Sequence, residues 1–188
     1  MSEAVRGKAK EAILSQALRL FASRGVEAVS VRDIAASTGY SNPALFRHFA
    51  SKEALAEALF EQCYASLVEA FEGAGDLPFR DWLEAALCEI ARSPEGVLFV
   101  LDNLKRYWGT LPANLKQRAL PVLAAALVER EKARGTFRAD VEPALISTIV
   151  FGTLGQIARS AHFYESNLDP PALAARLAAL LMEGLSPH

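Results

Sequence analysis

The chain has 188 residues, enough for one large or two small domains, and its 52% hydrophobic and 22% charged composition argues against disorder. The formal net charge of −2 hides an asymmetry. Residues 1–52 hold eight bases and four acids, net +4, whereas residues 53–188 hold the remaining 12 bases and 18 acids, net −6. A basic head on an acidic body suits a protein that faces nucleic acid, although a merely solvated basic helix face has the same signature.

The cysteines and the apolar stretches bear on the cellular compartment. Cys63 and Cys88 lack the spacing of metal ligands and lie among apolar residues at helical periodicity. We therefore expect buried, reduced thiols and a cytoplasmic location. The N-terminus alternates charges, unlike a signal peptide. The longest uncharged stretch, residues 143–158, is interrupted by Ser, Thr, Gly and Gln, and we expect it to be too short and too polar to span a bilayer.

Apolar residues recur at spacings of three and four along almost the whole chain, which predicts an all-α fold. The first helix is expected from about Lys8 to Ser23, with Gly25 suited to a left-handed C-cap. Ser30 is placed to cap the second helix, and Asp33, three residues later, can complete a capping box. These signals predict two helices joined by a short loop.

The next segment predicts a turn followed by two more helices. Gly39 interrupts the second helix, and the turn there needs a positive φ. Ser41 is placed to cap a short third helix, whose first turn holds Pro43, where a missing amide hydrogen costs little. Ser51 is placed to cap a fourth helix, which continues to about Phe71. Beyond Pro78 the periodicity predicts a bundle of five helices at roughly residues 79–92, 94–108, 113–134, 141–164 and 170–184.

Helices two and three describe a helix-turn-helix, in which the second helix of the pair enters the major groove of DNA. Because Leu45 and Phe49 are expected to turn inward, the rest of helix three faces outward. Asn42 can pair with a base edge, and Arg47 can reach a phosphate or a guanine. The candidates for a thymine methyl are Pro43 and Ala44, and those for a phosphate oxygen near a helix end are Ser30, His48 and Lys52.

The stretch from Ser30 to Leu55, SVRDIAASTGYSNPALFRHFASKEAL, resembles the signature of the tetracycline-repressor (TetR) family, and ALRLFASRG of the first helix extends the match. Beyond the first fifty-odd residues the resemblance is architectural only. It implies a transcriptional regulator, by default a repressor, that binds a palindromic operator as a homodimer and is released by a small, largely apolar effector. It implies DNA contacts at Ser30, Asn42, Pro43, Ala44, Phe46, His48 and Lys52, to which we add Ser41 and Arg47.

One residue departs from the family pattern. Phe46 stands where the family usually has tyrosine, so one possible phosphate hydrogen bond, worth about 0.5 to 1.5 kcal/mol in general, is lost. This weakens one contact without changing the assignment.

The resemblance further implies a DNA-binding domain at residues 1–52 and an effector-binding and dimerisation domain at residues 53–188. Small residues on the last two helices suit a symmetric interface with a second copy. They are Gly152, Gly155, Ala158, Ala175 and Ala179, followed by Leu180. The large and polar side chains expected to line an effector cavity, rather than a filled core, are Trp82, Phe99, Asn103, Tyr107 and Phe151, with Trp108, Gln156 and His162 as further candidates.

Two other classes of function are weaker. An enzyme would need a nucleophile with its base or a metal cluster, yet the histidines at 48, 162 and 188 are scattered and no catalytic motif occurs. We therefore expect neither catalysis nor a cofactor. A helical protein-interaction module that does not bind DNA is the alternative, and salt-insensitive or absent DNA binding would favour it.

Overall fold

The described part of the chain, residues 3–164 and 167–185 of a computed structural model, folds into ten helices and contains no strand, which confirms the all-α prediction. A single 3-10 turn, Trp108–Thr110, follows the sixth helix. The helices are α1 Glu3–Arg24, α2 Val31–Thr38, α3 Asn42–Phe46, α4 Lys52–Gly73, α5 Phe79–Arg92, α6 Pro94–Tyr107, α7 Ala113–Gln117, α8 Leu120–Ala133, α9 Pro143–Phe163 and α10 Pro170–Leu185.

All but one of the predicted caps are present at the ends of the first four helices. Gly25 and Gly39 adopt φ of 80° and 72°, the left-handed conformation that glycine tolerates at least cost. The Ser30 hydroxyl accepts from the Asp33 amide at 3.2 Å, while the Asp33 carboxylate accepts from the Ser30 amide at 2.8 Å. Ser51 accepts from the Ala54 amide. Ser41 occupies the cap position of α3, but its hydroxyl makes no capping hydrogen bond, contrary to expectation.

The single helix predicted at residues 113–134 is two helices, α7 and α8. Pro121 lacks an amide hydrogen, and its ring would clash with the carbonyl one turn earlier, so a continuous helix cannot run through it. Ala119 is extended, with ψ of 145°. The Leu120 amide, which has no partner at the start of α8, donates instead to the Tyr64 hydroxyl at 3.0 Å. The hydrogen bond at this break therefore links α8 to α4.

The core continues from the head into the body because α4 and α6 contact both. The inner face of α4 carries Phe60 and Tyr64, both fully buried, and Phe60 packs on Tyr107 of α6 with ring centroids 5.5 Å apart. Phe99, also on α6, stacks on Phe21 of α1 at 5.9 Å. In the body, α9 packs on α5, α6 and α8, and α10 packs on α5. The head is thus seated on α4 and α6 rather than connected by a free linker.

The cysteines are only partly as expected. Both are free thiols, but Cys88 is exposed rather than buried, because it lies on the outer side of α5. Cys63 is half-buried, and its burial raises the pKa of its thiol to about 12. The Cys63 thiol therefore stays neutral at physiological pH.

The expectation that residues 143–158 are too short and too polar to span a membrane is not confirmed. The helix that contains them, α9, has 21 residues and by length and composition alone could cross a bilayer. Only 28% of its most apolar window is buried inside the protomer. Its outward side carries Leu145, 52% exposed, and Gly152, whereas Gly155 and Ala158 face the protomer's own core. The expectation that these last two residues face a second copy is therefore wrong.

Candidate nucleic-acid interface and apolar cavity

The helix-turn-helix presents one side of α3 to solvent. Leu45 and Phe49 point into the head and are almost fully buried, as expected. Pro43 and Arg47 are exposed, and the ring of Phe46 is 50% exposed. The partly exposed candidates on this face are Asn42, Ala44 and His48.

The hydroxyl groups around this face differ in availability. The Ser30 hydroxyl donates to the Asp33 carboxylate at 2.7 Å, and this bond lowers the pKa of Asp33. Ser30 must therefore exchange this bond before it can donate to a phosphate oxygen. The Ser41 hydroxyl is exposed and has no capping bond, so it is free to donate at the start of α3. Tyr40, which is not among the predicted DNA contacts, is exposed beside Ser41 and extends this face. The sequence signal that could have identified it is an aromatic residue in an otherwise polar turn.

Lys52 has a structural role that its position in the motif does not reveal. Its ammonium group donates to the main-chain oxygens of Val26 at 2.7 Å and Val29 at 3.0 Å, and its side chain is half-buried. These bonds satisfy carbonyls in the loop between α1 and α2. One N–H of the Lys52 ammonium group remains for a phosphate. Lys52 therefore has a role in holding the loop, and its contact with DNA stays a prediction.

Arg106, at the end of α6, joins the body to the head. Its guanidinium donates to both carboxylate oxygens of Glu53 on α4, at 3.2 and 3.0 Å, and also to Glu27 in the loop after α1. The bond from Arg106 lowers the pKa of Glu27. The guanidinium also lies over the Tyr107 ring, 5.3 Å from its centroid. Sequence spacing could not indicate this cluster, because 79 positions separate Glu27 from Arg106.

The body contains an apolar cavity of about 80 Å³ between α4, α5, α6, α8 and α9. Three aromatic rings form one wall, with centroid separations of 5.2 Å for Phe71 and Trp82, 5.6 Å for Phe71 and Phe151, and 5.7 Å for Trp82 and Phe151. Small residues leave the space open. The rest of the lining is Leu67, Ala70, Ala74, Ala86, Glu89, Ile90, Val97, Leu101, Leu120, Leu154 and Gly155.

The predicted cavity residues divide into two groups. Trp82 and Phe151 line the cavity, whereas Phe99 and Tyr107 do not, because they lie on the side of α6 that packs against α1 and α4. The Asn103 amide donates to the Phe99 carbonyl of its own helix. Helical spacing shows that α6 has an apolar side but not which neighbour that side contacts. The additional candidates Trp108, Gln156 and His162 are also absent from the lining.

Within residues 3–164 and 167–185, no group of three or more His, Cys, Asp or Glu side chains is placed to hold a metal ion.

The chain is similar to known proteins both at its head and over most of its length. Residues 13–59 match the family model described as bacterial regulatory proteins, tetR family. The HTH-type transcriptional repressor KstR2 of Rhodococcus jostii (strain RHA1) is 26% identical to this chain, over 94% of this chain and 91% of that protein.

Two solved structures extend the likeness in fold to the body. The ketosteroid transcriptional regulator KstR2 of Mycobacterium tuberculosis superposes with a TM-score of 0.78 at 22% identity, over 100% of this chain and 98% of that one. The TetR family transcriptional regulator PfmR of Thermus thermophilus superposes with a TM-score of 0.71 at 26% identity, over 94% and 96%.

Replacing Lys52 by methionine tests its structural role without DNA. Lys52→Met keeps the apolar stem and removes two hydrogen bonds to main-chain oxygens, so the free energy of unfolding should fall by about 1 to 2 kcal/mol in urea denaturation. Lys8→Met, at an exposed lysine of α1, is the control and should change it by less than about 0.5 kcal/mol. Equal stability of the two variants would contradict the structural role.

Proposed function

Because the chain belongs to the tetR family of bacterial regulatory proteins and is a DNA-binding transcriptional regulator, we propose that it is a cytoplasmic repressor that binds a palindromic operator as a homodimer. A small, largely apolar molecule in the body cavity releases it from DNA. The observation that carries the DNA-binding role is the exposed side of α3 on a head of net charge +4. Functionally, we divide the chain into a head at residues 1–52 and a body at residues 53–188.

In this proposal α3 reads the major groove and the residues around it hold the backbone. Asn42 pairs with a base edge, and Pro43 and Ala44 contact thymine methyls. Phe46, without a hydroxyl, packs against sugar and base carbons. The remaining contacts go to phosphate oxygens, or for Arg47 also to guanine, and come from Ser30, Ser41, Arg47, His48 and Lys52. Phosphate contacts fix the register, and base contacts give the preference for sequence.

The dimer is proposed from the outward sides of α9 and α10. Leu145 on α9 and Leu180 on α10 are 52% and 67% exposed, so a second copy that covers them would remove apolar surface from water. Gly152 has no atom within 4 Å of an added Cβ, so a second helix has room to approach there. Ala179 is exposed on the same helix as Leu180. A two-fold arrangement would cover these sides with their own copies and set two α3 helices one helical turn of DNA apart, about 34 to 36 Å.

Release requires that the cavity and the head share a moving element, and α6 has the required contacts. Val97 and Leu101 line the cavity, and Arg106, further along the same helix, bonds to Glu27 of the head and to Glu53 at the start of α4. A ligand that displaces α6 changes where Arg106 holds the head. The ligand then favours a conformation in which the two α3 helices no longer match successive major grooves.

DNA binding should depend steeply on salt, because each head neutralises several phosphates. For 6 to 10 contacts in total, affinity should fall about 10³- to 10⁵-fold between 50 and 200 mM salt, measured by fluorescence anisotropy on sites selected from random duplexes. His48→Ala should weaken binding to all sequences alike, whereas Asn42→Ala should relax preference at one or two base positions.

Asn114→Ala, on the exposed side of α7, is the matched control and should bind as wild type. Salt-insensitive or absent binding, or equal binding by wild type and an Asn42→Ala, Lys52→Ala double variant, would contradict DNA recognition by this face. Such a result would favour a protein-interaction module instead.

Sedimentation tests the proposed dimer directly. Wild type should sediment as a dimer at micromolar concentration, and Leu145→Glu with Leu180→Glu should sediment as a monomer, since each charge would be buried without a partner. Val122→Glu, at a 55% exposed position of α8, introduces the same charge outside the proposed interface and should leave the dimer intact. A monomeric wild type would overturn the interface.

The role of Arg106 is tested by the effect of an apolar fluorescent probe, N-phenyl-1-naphthylamine, on DNA affinity. In wild type the probe should lower DNA affinity by a factor of about 5 to 150, the usual range of coupling. Arg106→Gln should bind the probe equally well but reduce this factor towards one. Arg159→Gln removes the ion pair between α9 and Asp102 of α6, 3.1 Å long, and should retain the coupling. Undiminished coupling in Arg106→Gln would exclude this route.

A further inference from the structure

The apolar cavity adjoins a second, more polar cavity of about 110 Å³ between α1, α4, α5 and the start of α6. The two share Leu67, Glu89 and Val97, so the boundary between them consists of two apolar side chains and one carboxylate. The polar cavity is also lined by the hydrogen-bonding side chains Gln62, Ser66, Arg92 and Ser93. A molecule that extends past the boundary therefore passes from an aromatic-walled space into one that offers donors and acceptors.

Glu89 is the charged residue that faces both cavities, and its side chain is 12% exposed. Its Oε1 accepts from the Ser66 hydroxyl at 3.2 Å and from Arg92 Nη2 at 2.6 Å, and its Oε2 accepts from Arg92 Nε at 2.9 Å. Each carboxylate oxygen can accept two hydrogen bonds, and Oε2 accepts only one here, so it has room for one more donor. The ion pair of Glu89 and Arg92 carries no net charge. Cys63 lines the same cavity, and its raised pKa keeps the thiol neutral.

This balance of charge determines which head group the polar cavity favours. A carboxylate would be repelled by Glu89 and would have to compete with it for Arg92. An ammonium would be repelled by Arg92 and would have to compete with it for Glu89. An uncharged hydroxyl avoids both costs, because it can donate to Glu89 Oε2 and accept from a neighbouring amide or hydroxyl without separating the ion pair.

We propose that the effector is an uncharged amphipathic alcohol. Its hydrocarbon chain or ring system occupies the cavity walled by Phe71, Trp82 and Phe151, and its hydroxyl donates to Glu89 in the polar cavity. This inference rests on the proposed function, since it assigns a chemical class to the molecule that enters the body cavity. Glu89 and Arg92 together are its specificity-determining residues.

The test compares three probes with the same decyl chain, namely 1-decanol, decanoic acid and decylamine. Binding is followed by the fluorescence of Trp82, which lines the apolar cavity, in a Trp108→Phe background. At neutral pH, 1-decanol should bind at least about tenfold more tightly than either charged probe, a difference of about 1.4 kcal/mol. Equal affinities, or tighter binding of an ionic probe, would overturn the proposal.

Two isosteric variants should reverse the preference in opposite directions. Glu89→Gln leaves Arg92 without its carboxylate, so decanoic acid should become the tightest of the three. Arg92→Gln leaves Glu89 without its guanidinium, so decylamine should become the tightest. Glu84→Gln and Arg80→Gln change the same charges on the same helix outside both cavities and should keep the wild-type order. An unchanged order in the first two variants would also overturn the proposal.

The outcomes separate this inference from the proposed function. If N-phenyl-1-naphthylamine binds and none of the decyl probes does, the alcohol class is wrong and the apolar cavity stands as a binding site. If neither it nor any decyl probe binds, the effector part of the proposed function fails as well, whereas the salt-dependent DNA binding is measured independently.

Discussion

The burial of one side of α4 is the constraint on which the rest of this structure depends. Near its start, Leu55 and Leu59 are buried in the core, and Phe60 and Tyr64, at the next position and about one turn further, pack on α6 and α8. Because a helix transmits displacement along its length better than a loop does, a shift at its distal end reaches the head. The contact of the head with α4 is therefore part of the packing of the body. The head and the body cannot rearrange independently.

Charged side chains in the head serve structure as well as recognition. Lys52 satisfies two loop carbonyls, and Arg106, contributed by the body, satisfies two carboxylates. These contacts hold the loop between α1 and α2 from two sides, so the start of the helix-turn-helix is set by charge-assisted hydrogen bonds. The exposed ion pairs of Arg106 contribute little to stability, but they hold one element against another. Orientation is what a dimer needs if two recognition helices are to match one operator.

The cavity exists because the helices around it carry small residues beside the aromatic cluster. Ala70, Ala86 and Gly155 leave space beside the aromatic cluster of Phe71, Trp82 and Phe151, and an added Cβ on Gly155 would come within 3.2 Å of Leu101. Protein cores are usually close-packed, and an unfilled apolar space costs stability. A fold that keeps such a space next to a neutral ion pair is suited to a ligand that restores the missing contacts.

Local chemistry alone determined the helix ends and the motif of this protein. The capping box at Ser30, the left-handed Gly39 and the inward Leu45 depend on residues within a few positions of one another, so sequence patterns predicted all three, and the exposed side of α3 with them. Periodicity also located the body helices. It could not show which side of α6 faces the cavity, and Phe99 and Tyr107 were therefore misplaced there. Contacts between residues far apart in the chain, such as the two bonds of Lys52 and the polar cavity at Glu89, were decided only when tertiary packing brought separate helices together, because side-chain spacing along one helix carries no information about its neighbours.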